Sequence, residues 1–137
     1  MNQFETEVFN TVGAFLGAYA GKDLQSCLSY IATDTPLLIM GTNDDEVITS
    51  YEEVAESFAA DFSIMDGLTW GDLRYSYVKA ESGVGSMIIE LPITYTNEGK
   101  QSTALFRYAL TLVQQSNTWK ICAFLTSVPY KSGSYDF

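Results

Sequence analysis

The 137-residue chain contains no histidine. A Ser-His-Asp triad, a Cys-His pair and a His-bound zinc site therefore cannot be built within it, and acid-base work falls to carboxylates and tyrosines. Asp44, Asp45 and Glu46 offer oxygens to a hard cation, yet one loop supplies few of the roughly six to eight ligands that calcium takes, and their spacing predicts a solvated turn. Tyr19, Tyr95 and Tyr108, with Ser127, can orient a carbonyl or act as weak acids. Large aromatics on a core face are nevertheless expected first as packing, since a buried tyrosine needs only one hydrogen-bond partner. Cys27 has no visible cation or imidazole to activate it and reads as a buried thiol. Glu90 interrupts an apolar strand. From these groups no catalytic residue, no metal site and no cofactor is predicted.

The elements that must position these residues are legible from periodicity. Phe4, Val8, Val12, Phe15, Leu16 and Tyr19 recur at steps of three and four, the mark of a helix with one buried stripe, and Gly21 ends it. Asp23 caps a shorter helix with Leu24, Cys27, Leu28 and Ile31 inward, and Pro36 leads into extended chain. Leu37 to Met40 reads as a buried strand, the run from Gly41 to Asp45 as a turn, and Glu46 to Ile48 as a short return strand. Ser50 and Glu53 fit a capping box that starts a third helix with Val54, Phe58 and Phe62 on one face.

From Leu68 onward the period becomes two. Leu68 and Trp70 share one phase, whereas Leu73, Tyr75 and Tyr77 share the other, so a bulge or bend is expected near Gly71-Asp72. Met87, Ile89, Leu91, Ile93 and Tyr95 alternate in a long strand. A tight loop at Glu98-Gly99 pairs Asn97 with Lys100, setting Leu91 opposite Phe106, Ile89 opposite Tyr108 and Glu90 opposite Arg107. A second loop at Ser116-Asn117 pairs Gln115 with Thr118 and places Phe106, Tyr108, Leu110 and Leu112 on the same face as Trp119, Ile121, Ala123 and Leu125. The Glu90–Arg107 pair then leaves the helix-facing side and is expected to be structural. Leu105, Ala109, Val113, Cys122, Phe124 and Val128, among Arg107, Thr111, Lys120 and Thr126, are assigned to the outer face, too apolar to stay wholly in water. A homodimer through that face is expected.

Composition bounds the rest. Residues 1–137 make one domain by ordinary size priors, with 131–137 as a peripheral tail. Seven Lys and Arg against 17 Asp and Glu give a net charge of −10, which disfavours nucleic acid and anionic membrane surfaces as partners. The start MNQFETEVF lacks the basic, apolar pattern of a signal segment, and no window reads as a membrane span. The expectation is a soluble cytoplasmic protein with Cys27 and Cys122 reduced and buried.

The helices precede a run of long antiparallel strands, which predicts an α+β layout with helices on one face of a curved sheet. The segments LLIMGTNDDEVITSYEEVAESFAADF and FRYALTLVQQSNTWKICAFLTS, with their Gly-x-x-x-Asp-Glu loop, Arg strand and Trp-Lys-Ile strand, resemble the SnoaL-like branch of the nuclear-transport-factor-2-like superfamily. The resemblance runs from the first helix to about Ser127. It implies a cone of three N-terminal helices packed on a curved antiparallel sheet, with a pocket at the open end and commonly a homodimer. Polyketide cyclases, ketosteroid isomerase, dehydratases, epoxide hydrolases and non-catalytic modules share that fold, so fold does not fix function. Carried over residue by residue, the isomerase's tyrosine donor falls on Phe15 and its carboxylate base among Ile39, Met40 and Gly41. The histidines frequent on the terminal strand fall on Ala123 and Leu125. None of these transfers a proton, which argues against that reaction.

The inward stripes predict a mostly apolar pocket lined by Phe15, Tyr19, Phe58, Phe62, Trp70, Ile89, Tyr108, Ala123 and Leu125. Binding of a small hydrophobic or aromatic ligand is the leading expectation. A cyclase-, isomerase- or hydratase-like enzyme is the alternative, and an interaction or oligomerisation module the third. A pocket filled by side chains favours the module, an open apolar pocket favours binding, and an open pocket holding a buried carboxylate of raised pKa favours the enzyme.

Overall fold

The computed structural model describes residues 1–134, and part of the expected tail, 135–137, lies outside the described residues. Three helices, α1 (Gln3–Ala20), α2 (Leu24–Ser29) and α3 (Tyr51–Ile64), alternate with and then give way to seven strands. These are β1 (Leu38–Met40), β2 (Val47–Ile48), β3 (Gly67–Trp70), β4 (Tyr75–Glu81), β5 (Val84–Asn97), β6 (Lys100–Gln115) and β7 (Thr118–Ser127). The strands form one sheet in the order β2-β1-β7-β6-β5-β3, with β4 pairing β5 beside β3. The sheet is mixed: β1 runs parallel to β7, and the other pairings are antiparallel.

Local chemistry accounts for the boundaries. Asn2 caps α1 in a capping box with Glu5, Asp23 accepts from the Ser26 amide at the start of α2, and Ser50 accepts from the Glu53 amide at the start of α3. The two long hairpins turn on Glu98-Gly99 and Ser116-Asn117, all four residues at positive φ. Such left-handed turns match the twist of the strands they join and set the register. Asn97 accordingly pairs Lys100, Leu91 pairs Phe106, Ile89 pairs Tyr108, and Gln115 pairs Thr118. The expected break after Trp70 separates β3 from β4. A Cβ on Gly71 would stand 2.6 Å from Pro92 Cγ, so the bend needs a glycine there.

The core lies between the helices and the inner sheet face. Val8, Val12 and Phe15 of α1, Cys27 of α2 and Val54 and Phe58 of α3 pack with Met87, Ile89, Leu112, Trp119 and Ile121. Each large apolar side chain withdrawn in this way contributes on the order of 1.5–3 kcal/mol.

One phase is opposite to expectation. Leu112 pairs Ile121 while Thr111 pairs Ala123, leaving Cys122 as an extra residue on β7. This bulge shifts the side-chain alternation by one. Ala123 and Leu125 therefore turn to the outer face, Leu125 with half its surface exposed. Phe124 and Thr126 turn inward, and Cys122 is buried with its thiol against the Thr111 carbonyl. Strict alternation had reversed the assignments of the four residues from Ala123 to Thr126.

Candidate functional site

An open cavity of about 300 Å³ lies between α1, α3, the β1–β2 turn and the inner face of β5, β6 and β7. Four of the nine expected lining residues line it: Phe15, Tyr19, Phe58 and Tyr108. Phe62 packs on Tyr19 and Phe58 just behind them. Trp70 and Ile89 instead line a second, smaller apolar cavity of about 260 Å³ between α1 and β3–β5. Trp70 contacts Tyr19 and Tyr108 from that side and is pinned by a 2.7 Å hydrogen bond from its indole N–H to the Leu16 carbonyl. Ala123 and Leu125 lie on the other face of the sheet, and Phe124 and Thr126 replace them in the wall. Tyr95 lines the cavity, whereas Ser127 is exposed and pairs with Arg107 on the outer face.

Aromatic rings make a closed circuit beside the cavity. Tyr19 meets Phe15, Phe15 meets Phe124, Phe124 meets Tyr108, Tyr108 meets Trp70, and Trp70 returns to Tyr19, every step between 6.0 and 6.5 Å centroid to centroid. Contacts of this kind each add on the order of 0.5–1.5 kcal/mol beyond area burial and hold the wall in shape.

The polar centre of the cavity is Asp61, which the strand and helix patterns did not single out. It follows Phe58 by three residues and Val54 by seven, so it lies on the buried stripe of α3. A carboxylate at that interval is the signal that could have found it. The Tyr19 hydroxyl donates a 2.8 Å hydrogen bond to Asp61 Oδ2. Burial holds the Asp61 carboxyl above the ordinary aspartate range, the Tyr19 hydrogen bond opposes that rise, and the nearby charge of Glu46 adds to it. Burial, reinforced by the Asp61 charge, pushes the Tyr19 and Tyr108 hydroxyls upward, so both stay protonated donors. No protein hydrogen bond to the Tyr108 hydroxyl is found among the described residues, and Tyr108 lines the cavity.

Glu46 is the second carboxylate lining the cavity. Asp44 and Asp45 are exposed, as a solvated turn requires, but Glu46 folds back over Gly41 and accepts a hydrogen bond from the Asn43 side chain. Its backbone carbonyl also receives the Gly41 N–H. Among the described residues no cluster of three metal-ligating side chains occurs. Burial raises the Cys27 thiol to about 11, with the Asp23 charge adding, so it stays an inert thiol at neutral pH.

Glu90 lies on the opposite side of the sheet with 7% of its surface exposed. Arg107 Nε donates to its Oε2 at 2.5 Å, and Arg74 Nη1 lies 3.4 Å from its Oε1. The cross-strand pair read from the register is present, and Arg74, from the bend before β4, makes it a triad.

This cone of helices and curved sheet with a cavity at one end has close structural counterparts. The SnoaL-like domain model matches residues 8–131, and the chain belongs to that family. Its fold is that of the nuclear-transport-factor-2-like superfamily. A superfamily protein from Salmonella enterica serovar Typhimurium superposes with a TM-score of 0.83 at 12% identity, covering 97% of this chain and 96% of that one. A ketosteroid isomerase-like protein from Erwinia carotovora atroseptica gives 0.76 at 16% identity, over 96% and 100% of the two chains. A candidate dehydratase of the NTF2-like family from Streptomyces avermitilis gives 0.83 at 15% identity, over 92% and 97%. At such identities the likeness establishes the fold alone. No curated protein matches the sequence.

Proposed function

We propose that this protein binds a small, largely hydrophobic molecule in the cavity beside α3 and that Asp61, with Tyr19, performs acid-base work on it. The observation that carries this reading is a carboxylate of raised pKa, hydrogen-bonded to a tyrosine, inside an open cavity walled by aromatic rings. A raised carboxyl pKa brings the proton-accepting group closer to neutrality, which is the condition under which general base catalysis is efficient. The Tyr108 hydroxyl stands ready to donate to oxygen as charge develops there.

The test uses 5-nitrobenzisoxazole, a neutral aromatic whose ring opens when a base removes its C–H proton: the N–O bond breaks and a cyanophenolate is released. Wild-type protein is expected to exceed free acetate at equal carboxylate concentration by at least about tenfold, and Asp61→Asn to return the rate to background. An unchanged rate in a folded Asp61→Asn variant would overturn the acid-base assignment.

We also propose a homodimer through the outer sheet face. The pairings align Val47, Met40, Leu125, Ala109, Ile88 and Tyr77 in one row across six strands, all exposed. An unbroken apolar row of this length is too large a patch for a free surface. Sedimentation at micromolar concentration should give a dimer, and Leu125→Glu a monomer with an intact cavity; a monomeric wild type would remove the proposal. A cytoplasmic location fits the two free, buried cysteines, and no described helix is long and apolar enough to cross a membrane.

A further inference from the structure

The lining of the cavity has a consistent charge. Asp61 and Glu46 both line it, and no lysine or arginine does. The chain holds only 7 basic residues, and Arg74 and Arg107 are already committed to Glu90 on the far side of the sheet. An anionic ligand would thus meet two carboxylates without a counter-charge, inside a protein of net charge −10.

Glu46 is held in this position by the backbone beneath it. A Cβ built on Gly41 would overlap Glu46 Oε2 and stand 2.7 Å from its carboxyl carbon. Only the absence of a side chain at position 41 lets the carboxylate fold back over the strand end. Asn43 donates to its other oxygen, and the Gly41 N–H holds the Glu46 carbonyl. The two carboxylates are close enough for the charge of Glu46 to make ionisation of Asp61 harder. A positive charge placed between them relieves that repulsion.

The remaining wall suits the same ligand. Phe15, Phe58, Tyr108 and Phe124 line the cavity with Tyr19. Aromatic faces attract cations through the ring quadrupole, and the attraction is strongest where water has been removed. A bare metal ion is poorly served here, because two carboxylates supply only a fraction of its coordination shell and among the described residues no three metal-ligating side chains cluster. A substituted ammonium needs no such shell, and its hydrocarbon substituents gain from the apolar wall.

We propose that the cavity selects small organic cations, substituted ammonium groups carrying hydrophobic substituents, over neutral or anionic molecules of the same shape. This rests on the ligand-binding reading above and adds the charge class of the ligand to it.

The experiment compares three probes of one shape class by titration calorimetry at low ionic strength: benzyltrimethylammonium, its uncharged carbon isostere neopentylbenzene, and benzenesulfonate. The cation is expected to bind at least about tenfold more tightly than the isostere, with the sulfonate weakest. Asp61→Asn and Glu46→Gln should each remove much of the cation's advantage while leaving the isostere's affinity within about twofold. Gly41→Ala, which displaces Glu46 without altering any charge, should reproduce the loss seen in Glu46→Gln. If the isostere binds as well as the cation, or the sulfonate binds better, the charge assignment is overturned and the hydrophobic site survives. If none of the three binds and a neutral dye such as Nile red does not bind either, the ligand-binding reading falls with it.

Discussion

Asp61 and Glu90 are carboxylates held among apolar side chains on opposite sides of one sheet, and the protein treats them differently. Glu90 is clasped by two guanidiniums, so each of its oxygens faces a positive charge. Asp61 receives a single hydrogen bond from Tyr19 and has a second carboxylate, Glu46, nearby. A buried acid supplied with its counter-charges is locked into the structure and is expensive to disturb. Asp61, half-buried on the cavity wall, has no such counter-charge and its proton affinity is raised, the condition on which the proposed acid-base role rests. Glu90 is the more deeply buried of the two, so burial by itself does not explain the contrast; the company each carboxylate keeps does.

The largest expected effect is on the clasped side. Replacing both Arg74 and Arg107 by leucine leaves Glu90 charged and unpaired, and should cost about 3–5 kcal/mol of unfolding free energy in urea titrations. A loss below about 1 kcal/mol would mean that water already serves Glu90 and would weaken the contrast. The cavity side should respond less. Tyr19→Phe removes the hydrogen bond to Asp61 and should cost about 1–2 kcal/mol. The same variant should move the Asp61 titration further upward, read by carboxyl carbon chemical shifts, because burial and Glu46 then act unopposed. A downward shift would show that the hydroxyl does not stabilise the ionised form.

The smallest change in stability is expected for Asp61→Asn, within about 1 kcal/mol and in the stabilising direction at neutral pH, since a half-buried charge without a counter-charge is removed. Its signature is in the pH dependence. A carboxyl whose folded pKa lies above its unfolded value binds more protons in the folded state between the two values. Its contribution is thus fully present below the ordinary aspartate range, near pH 4, and is lost as pH rises through the raised folded value. Wild type minus Asp61→Asn should show this decline in that window. A difference that instead grows with pH would place a counter-charge beside Asp61 and erase the comparison with Glu90.

Much of the fold was legible in the chain because its signals are local or nearly so. Three helices, the N-caps of the second and third, two tight turns with left-handed central residues and the alternation of β5 and β6 all follow from short-range sterics and hydrogen bonding. The Glu90–Arg107 pair followed as well, since a two-residue turn sets the register of the strands it joins. Arg74 was not foreseen. It reaches Glu90 because the bend at Gly71 brings the segment before β4 alongside β5.

The site was legible only in part. Phe15, Tyr19, Phe58 and Tyr108 occupy inward positions of regular elements, and periodicity alone puts them there. Ala123 and Leu125 went to the wrong face because one extra residue, Cys122, reverses every side chain beyond it, and no local composition announces a bulge of that kind. Asp61 was hidden in an acidic, ordinary-looking helix end, although its seven-residue interval from Val54 lay in view.

What the sequence by itself determined are the elements, their turns, the hairpin registers and the absence of any imidazole, all properties of residues near one another or of composition. The tertiary structure alone decided which carboxylate met two arginines and which met a tyrosine, that Glu46 folds over Gly41 into the cavity, and which face of β7 carries Phe124. Those outcomes depend on how separate elements stack and on a one-residue slip in pairing. Burial and charge proximity, which set the chemistry of Asp61, exist only once residues distant along the chain have been brought together.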